Sequence, residues 1–304
     1  MKSDIVIIGG GPAGYTGAIR GAQLGRGGTV TVVEPDPTYE FASTPRGSGG
    51  VRQLFSLPEN VALSRYSLDF YKAFPETMAV DGEPARIDFH QRGYLFLARQ
   101  SGAAQLEANW HVQVAGGARV QLLDRDAVLA RFPSLNMDDM VMGAHSPDDG
   151  WLDPHGAMQG FRRKAISQGA RYVQDRVVGV DLQAGVLRSV TLVSGAHIQA
   201  SLFVIAAGAW SGEIATMLGM ALPVEPMSRV NHYFEVRAEI EPLPFVKEQG
   251  DLAFRPEGQG YIGGVPLWEV PAGFWWPVDH GHFEARVWPA LARRVTQFEA
   301  AKCM

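Results

Sequence analysis

The chain has 304 residues, of which 46% are apolar and 19% charged, a composition typical of globular proteins long enough for two modest domains. The formal net charge of −5 excludes a broad positive field, so neither nucleic acid nor an anionic membrane is expected as the main partner. The one cysteine, Cys303, excludes an internal disulfide framework and a cysteine-rich metal site. With no secretory leader and no apolar run of about 20 residues, the sequence predicts a cytoplasmic protein without a membrane span.

The first predicted elements are a strand, a glycine-rich turn and a helix. Residues 4–8 are predicted as a short buried strand, and the sequence Gly-Gly-Gly-Pro-Ala-Gly at 9–14 follows where a helix should begin. That helix is predicted from about residue 13 to residue 24, and a second strand is predicted at 29–33. The glycines expected to end the helix are Gly25, Gly27 and Gly28. Strand, glycines, helix and strand occur in the order of a dinucleotide-binding unit.

The glycines of the 9–14 turn serve separate purposes in such a unit. Gly9 permits the tight turn, Gly11 lets a pyrophosphate approach the backbone, and Gly14 lets helix and strand pack closely. The amino end of the helix attracts phosphate charge. Glu34 follows the second strand, where a carboxylate accepts hydrogen bonds from an adenosine ribose and repels a 2′-phosphate. The sequence therefore predicts binding of the ADP half of a dinucleotide and disfavours NADP.

Apolar periodicity predicts the remaining elements. Helices are expected at 60–74, 103–114, 124–132, 153–169 and 283–298. Strands are expected at 93–98, 177–182, 186–193, 197–200, 202–206, 232–236, 252–255 and 261–264. In the helix at 60–74, a stripe is expected to face a core: Leu63, Tyr66, Phe70 and Phe74. Pro289 is expected to kink the last helix near its start.

Two later segments carry further information about a cofactor. Residues 43–56, Ser-Thr-Pro-Arg-Gly-Ser-Gly-Gly-Val-Arg-Gln-Leu-Phe-Ser, form a small-residue loop with two arginines. In residues 202–211, Leu-Phe-Val-Ile-Ala-Ala-Gly-Ala-Trp-Ser, a buried strand is predicted at 202–206, and the small residues at its end would let backbone approach a ligand at the carboxyl edge of a parallel sheet. The chain resembles the D-amino-acid oxidase superfamily, particularly its sarcosine oxidase and glycine oxidase-like branch. The resemblance is carried by these two segments together with the 9–14 turn, Glu34 and the Gly-Trp-Leu-Asp-Pro helix entry at 150–154.

The resemblance implies an α/β fold. A Rossmann-like FAD-binding domain, with a parallel sheet and a β-meander, would occupy 1–80 and 147–228. An interleaved α+β substrate domain with an antiparallel sheet would occupy 81–146 and 229–304. Relatives continue past the end of this chain with a strand, a glycine-rich turn and a helix that faces the flavin pyrimidine ring. We expect the lack of that segment to weaken FAD retention, because a helix dipole would be lost. Stoichiometric FAD after purification would contradict this expectation.

The resemblance also implies which residues contact the cofactor. The 43–52 loop has no histidine for covalent attachment, so non-covalent FAD is implied. The backbone of Val177 would meet adenine, the 48–52 segment would lie along the ribityl and isoalloxazine portion, and the segment after residue 206 would line the other side. The cofactor-binding residues are Gly9, Gly11, Pro12, Ala13, Gly14, Glu34, Ser48, Gly49, Gly50, Arg52, Val177, Ala207, Gly208 and Trp210.

The implied substrate is a secondary amine or an amino acid, with oxygen or an electron carrier as the final acceptor. A substrate carboxylate needs a cationic partner, and arginine offers a bidentate fork. Candidates are Arg52, Arg229 and Arg255, each also compatible with an ordinary ion-pair or surface role. Tyr261 is a candidate for shaping the amine pocket, and is also compatible with a core position.

Two other interpretations stay open at this stage. An NAD-linked dehydrogenase would explain the 9–14 turn, but neither the arginine-containing loop nor the Ala-Ala-Gly-Ala-Trp segment. A non-catalytic flavoprotein-like scaffold, such as an assembly factor for a respiratory complex, is a role found among similar proteins. His280 and His282 form an H-x-H pair without an evident third ligand, so no metal site is expected.

Overall fold

The computed structural model describes residues 1–23 and 28–304 and divides the chain into two compact units. The first unit comprises Met1–Gly47, Ala73–Asp88 and Asp153–Pro226. The second comprises Ser48–Lys72, Phe89–Leu152 and Met227–Met304. No helix within the described ranges is long and apolar enough to cross a membrane. The predicted end of the first helix at Leu24 and two of its three terminating glycines, Gly25 and Gly27, lie outside the described residues.

The strands and helices are numbered along the chain. The strands are β1 (Ile5–Ile8), β2 (Val30–Val33), β3 (Gly50–Val51), β4 (Tyr94–Ala98), β5 (Gln121–Asp124), β6 (Met142–Ser146), β7 (Gly150–Trp151), β8 (Arg171–Val173), β9 (Val177–Gln183), β10 (Val186–Leu192), β11 (His197–Gln199), β12 (Leu202–Ile205), β13 (His232–Glu235), β14 (Phe245–Glu248), β15 (Ala253–Glu257), β16 (Gly260–Gly264) and β17 (Lys302–Cys303). The helices are α1 (Pro12–Gln23), α2 (Pro58–Lys72), α3 (Phe74–Thr77), α4 (Ala103–Ala115), α5 (Arg125–Arg131), α6 (Pro154–Ser167), α7 (Ser211–Met217) and α8 (Trp288–Arg294).

The first unit is built on a parallel sheet of order β12-β1-β2-β8. Ile5 pairs with Val30 on one side and with Leu202 on the other, so three strands end at the same edge. Ala18 and Ile19 of α1 are buried, as the apolar pattern predicts. Strands β9, β10 and β11 form a separate antiparallel sheet. The predicted parallel sheet and β-meander are confirmed. The predicted burial of the 202–206 strand is wrong, because β12 lies at the edge of the sheet and Leu202 and Val204 are exposed.

The second unit contains an eight-stranded sheet of order β17-β13-β16-β15-β14-β4-β6-β5. Its pairs are antiparallel except for β14 and β4, which run parallel in the register Phe245↔Tyr94 and Lys247↔Phe96. The mixed α/β class predicted from the sequence is confirmed, with this parallel pair as an addition to the predicted antiparallel sheet. One apolar cluster, with Leu95, Val246 and Phe254, packs on one side of β4 and β14, and another, with Tyr94 and Phe245, packs on the other.

The compact units depart from the predicted domain boundaries mainly at 48–72 and 147–152, which both group with the second unit. Residues 81–88 group with the first unit, and 227–228 with the second. The physical reason is strand pairing. β3 pairs with β7 in the register Gly50↔Trp151, and Trp151 joins the apolar cluster around Tyr94. Neither two-residue strand is long enough to show apolar alternation in the sequence.

The helix predicted at 60–74 also differs from the structure. It is two helices, α2 and α3, and the residues that α2 buries are Val61 and Leu68. Leu63 and Tyr66 are 64% and 61% exposed, so the predicted apolar stripe is wrong at these positions. Phe74 is fully buried, but it lies in α3. The stripe residues are three or four apart, whereas Val61 and Leu68 are seven apart and share the opposite face of the helix.

The last predicted helix, at 283–298, is instead three helical segments. A π-helical turn at Phe283–Val287 leads into α8, and a 3₁₀ turn follows at Thr296–Ala300. Val295 is extended, with φ of −136°, and separates the last two segments. The apolar residues spaced three or four apart along this segment are nevertheless buried throughout: Phe283, Val287, Leu291, Val295 and Phe298. Pro289 is the second residue of α8 and directly follows the π-helical turn, so the helix is irregular at the position where the proline is expected to disturb it.

Candidate functional site

The glycine turn between β1 and α1 has the geometry of a cradle for a diphosphate. Gly9 has φ of +107°, and a Cβ there would collide with the backbone of Ala206. A Cβ at Gly14 would collide with the carbonyl oxygen of Gly9. A Cβ at Gly11 would meet no atom within 4 Å, so this position opens outward from the turn. α1 begins immediately afterwards with Pro12, and its first-turn N–H groups favour an anion.

Glu34 lies beside this turn, as the sequence predicts. Its Oε2 accepts a hydrogen bond from the backbone N–H of Gly10 at 2.8 Å, and its Oε1 accepts one from the backbone N–H of Asp36 at 3.0 Å. Burial raises the pKa of the carboxyl group, and these two hydrogen bonds oppose that shift. Each carboxylate oxygen keeps a further acceptor position, so the group remains able to bind ribose hydroxyls.

A group of tyrosines, which the sequence analysis missed, packs around Glu34. The hydroxyls of Tyr15 and Tyr39 are 2.8 Å apart in a buried contact. Tyr172 donates to the backbone oxygen of Glu34 at 3.3 Å, and burial raises its pKa to about 12. The Arg162 guanidinium lies 4.7 Å from the centre of the Tyr172 ring. Tyr39 has φ of +59°, which is unusual for a side chain of this size and marks a constrained turn after Glu34. No sequence spacing links these residues, because they come from α1, α6, β8 and a loop.

The other predicted contacts in the first unit lie near the same edge of the parallel sheet. Gly208, with φ of +54°, follows β12 and begins the 3₁₀ turn that contains Trp210. Ala206, just before the predicted contact Ala207, donates its N–H to the carbonyl of Ile8 at 2.8 Å. Val177 packs in the apolar cluster that also contains Val33, the residue before Glu34. The glycine turn, Glu34, Val177 and the residues after β12 therefore lie in one unit.

The predicted small-residue loop at Ser48–Gly50 belongs to the second unit and is held in place by Arg255. The Nε of Arg255 donates to the carbonyl of Ser48 at 2.7 Å, and its guanidinium lies 5.5 Å from the centre of the Trp151 ring. Arg255 also pairs with Glu257. The Nε and Nη1 groups of Arg255 thus have protein partners, which favours an anchoring role over the predicted one as a substrate partner. The carbonyl of Gly49, a residue with φ of +65°, accepts a hydrogen bond from the backbone N–H of Leu152 at 3.0 Å.

Arg52, three residues after Gly49, is surrounded by aromatic rings. Its guanidinium carbon lies 4.6 Å from the ring centre of Phe55, 5.6 Å from that of Phe96 and 6.0 Å from that of Tyr94. Its Nε is buried and has no hydrogen-bond partner. Within residues 1–23 and 28–304, no carboxylate forms an ion pair with it. We refer to Arg52 with Phe55, Tyr94 and Phe96 as the arginine box.

The other two substrate candidates lie elsewhere in the second unit. Arg229 is exposed, donates to the carbonyl of Ser228 at 2.8 Å, and lies over the ring of Trp268. Tyr261 packs among core rings, with its centre 4.8 Å from that of Phe298, and burial raises its pKa. The structure brings neither of them into the arginine box. A surface role for Arg229 and a core role for Tyr261 were the alternatives that their residue types left open.

His282 of the H-x-H pair contacts a histidine that the sequence analysis did not consider. Its Nδ1 lies 3.1 Å from Nε2 of His232, and both rings are buried. Cys303 lies 3.9 Å from the other ring nitrogen of His232. Burial lowers the pKa of both histidines. Among the residues described, no group of three or more His, Cys, Asp or Glu side chains has the geometry to hold a metal ion.

Comparisons with known proteins agree with this geometry. A family model described as DAO, FAD dependent oxidoreductase, matches residues 4–303. FAD-dependent oxidoreductase domain-containing protein 1 of Bos taurus is 34% identical, with 99% of this chain and 70% of that protein covered. Mitochondrial sarcosine dehydrogenase of Mus musculus is 26% identical over 90% of this chain and 30% of its own length.

Solved structures show the same fold. L-proline dehydrogenase from P. horikoshii has a TM-score of 0.81 and 25% identity, with 100% of this chain and 79% of that chain covered. Glycine oxidase from Geobacillus kaustophilus has a TM-score of 0.80 and 20% identity, with 100% and 80% covered. The glycine turn and the parallel sheet therefore occur in a chain whose fold matches that of an L-proline dehydrogenase and of a glycine oxidase over its whole length.

Proposed function

The chain belongs to the family of FAD-dependent oxidoreductases, and we propose that it oxidises the C–N bond of a secondary amine or an amino acid. The family membership confirms the resemblance noted in the sequence. It also favours FAD over the NAD-linked dehydrogenase that the glycine turn alone left open.

The residues of the first unit fit the ADP half of FAD. The open position at Gly11 leaves room for a diphosphate, whereas the crowding at Gly9 and Gly14 fixes the turn that presents it. Glu34 would accept the ribose hydroxyls, because its carboxylate lies beside the turn and keeps free acceptor positions. When bound, FAD supplies a ring that accepts two electrons as a hydride equivalent from the carbon beside a nitrogen.

The observation that supports an amino-acid-like substrate is the arginine box. Arg52 carries a charge without a carboxylate partner in the described ranges, and its buried Nε lacks a hydrogen bond. A substrate carboxylate would satisfy the guanidinium through a bidentate contact. Phe55, Tyr94 and Phe96 would exclude water around that contact and so strengthen it. In this proposal Arg52 orients the substrate, and no residue of the chain forms a covalent bond with it.

The test is anaerobic bleaching of the flavin. The protein is reconstituted with FAD and mixed with N-methyl and D-amino acids while the absorbance of oxidised flavin is followed. We expect bleaching by at least one of them, with Arg52→Met raising the half-saturating substrate concentration at least about tenfold. Arg229→Met is the matched control, because Arg229 is exposed and outside the arginine box. If no amine bleaches a fully flavin-loaded protein, the proposal is wrong, and admitting oxygen after bleaching distinguishes an oxidase from a dehydrogenase.

A further inference from the structure

A second cation, Lys247, faces the arginine box from the neighbouring strand. β14 and β4 are paired in parallel, with Phe245 opposite Tyr94 and Lys247 opposite Phe96. The rings of Phe245 and Tyr94 stack with centres 4.3 Å apart, which shows that these two residues share one face of the sheet. Side chains repeat every two residues along a strand, so Lys247 and Phe96 lie on that same face. Phe96 is one of the rings over which the Arg52 guanidinium lies.

The charges on this face do not balance. Burial lowers the pKa of Lys247, and the positive charge of Arg52 lowers it further. The neighbour of Lys247 along β14, Glu248, lies on the opposite face and binds Arg294 at 2.7 Å. Asp149, which is fully buried, accepts two hydrogen bonds from Gln53. Within the described ranges, neither Arg52 nor Lys247 has a carboxylate partner.

We propose that the Arg52–Lys247 pair selects substrates with a second acidic group, so that the preferred substrate is a secondary amine or amino acid with two carboxylates. This inference rests on the proposed function for the reaction itself. One carboxylate would bind to Arg52 and the second to Lys247, which removes the repulsion between the two cations. A substrate with one carboxylate leaves one cation unpaired and partly buried, an arrangement that costs binding affinity. Lys247 is thus a specificity-determining residue.

The first experiment measures binding without turnover. Succinate and butyrate both have four carbons and differ by one carboxylate, and their affinities are measured by calorimetry at low ionic strength. We expect succinate to bind about tenfold more tightly to the natural protein. Lys247→Met should abolish this preference, whereas Lys247→Arg should retain it because the charge remains. Lys302→Met, an exposed lysine in β17 of the same sheet, should leave it unchanged.

The second experiment uses the flavin-loaded protein with N-methylaspartate and N-methylalanine, which also differ by one carboxylate. We expect N-methylaspartate to bleach the flavin at about a tenfold lower concentration, and Lys247→Met to remove the difference without weakening the response to N-methylalanine. The proposal is overturned if the natural protein binds succinate and butyrate equally tightly. It is also overturned if Lys247→Met weakens the binding of both ligands by the same factor. If succinate is preferred and neither amine bleaches the flavin, the selectivity stands and the proposed oxidation fails.

Discussion

At Gly11 an added methyl group would point away from every described atom, whereas at Gly9 it would enter the backbone of Ala206. We therefore expect Gly11→Ala to change the free energy of unfolding by no more than about 1 kcal/mol. The same methyl group would occupy the space that a diphosphate needs, so the dissociation constant of FAD should rise at least about tenfold. Gly9→Ala is the contrasting variant, with an expected loss of about 2 kcal/mol in stability. Urea unfolding measures the free energy of unfolding, and flavin titration measures the dissociation constant of FAD. An undiminished FAD affinity in Gly11→Ala would show that the diphosphate does not bind at this turn.

We expect Asp149 to make the stability of the protein depend on pH. It is fully buried, and burial raises its pKa from 3.8 to about 6, against the hydrogen bonds from Gln53. A carboxyl whose folded pKa is raised binds a proton more tightly in the folded state, so its contribution to stability falls as pH rises from about 4 to about 6. The loss amounts to about 3 kcal/mol at most. Asp149→Asn should remove this slope, which urea unfolding at several pH values between 4 and 7 would show. Equal slopes in both proteins would contradict the expectation.

The segment α8 is tied to β14 by a buried ion pair. Arg294 and Glu248 are both fully buried, 2.7 Å apart, and Arg294 also binds Asp139 at 2.8 Å. Arg294→Ala would leave Glu248 with only longer contacts to partly exposed arginines, so we expect a loss of about 3–5 kcal/mol. Arg293→Ala is the matched control, because Arg293 is 47% exposed and lies 3.6 Å from Glu248, and it should cost less than about 1 kcal/mol. Urea unfolding measures the loss of stability in each variant. Similar losses in the two variants would show that the buried Arg294–Glu248 pair does not hold α8 to β14.

The same elements show how far the sequence determines the fold. Local sequence patterns were enough to predict the glycine turn, β1, α1 and β2. These patterns are runs of apolar residues for the strands, glycines with different steric requirements for the turn, and a proline at the start of the helix. β14 was not, since the sequence Phe-Val-Lys-Glu has a charged residue on each face and its partner β4 lies about 150 positions earlier. For the same reason the sequence identified Arg52 but not Lys247. Their proximity depends on the parallel pairing of β14 with β4, which no local pattern encodes.

The division into two compact units bears on how the site can be tested in the whole molecule. The residues proposed for the diphosphate and the ribose, from Gly9 to Glu34, lie in the first unit. Arg52 and Lys247 lie in the second. A ligand that represents only the ADP half should therefore stabilise the first unit directly, whereas succinate should stabilise the second.

Hydrogen exchange with ADP as the probe makes this separation measurable. At about 100 times its dissociation constant, ADP should stabilise the segments it contacts by about 2.7 kcal/mol, which slows their exchange about 100-fold. We expect this slowing in the segments around Gly9–Tyr15 and β2, and unchanged exchange in β4 and β14. Glu34→Gln should reduce this slowing of exchange. The carboxylate of Glu34 accepts hydrogen bonds from the backbone N–H groups of Gly10 and Asp36, and the amide of glutamine would turn an N–H toward one of these donors. Slowing confined to β4 and β14, or no slowing at saturating ADP, would show that the adenosine end of the cofactor does not bind at the glycine turn.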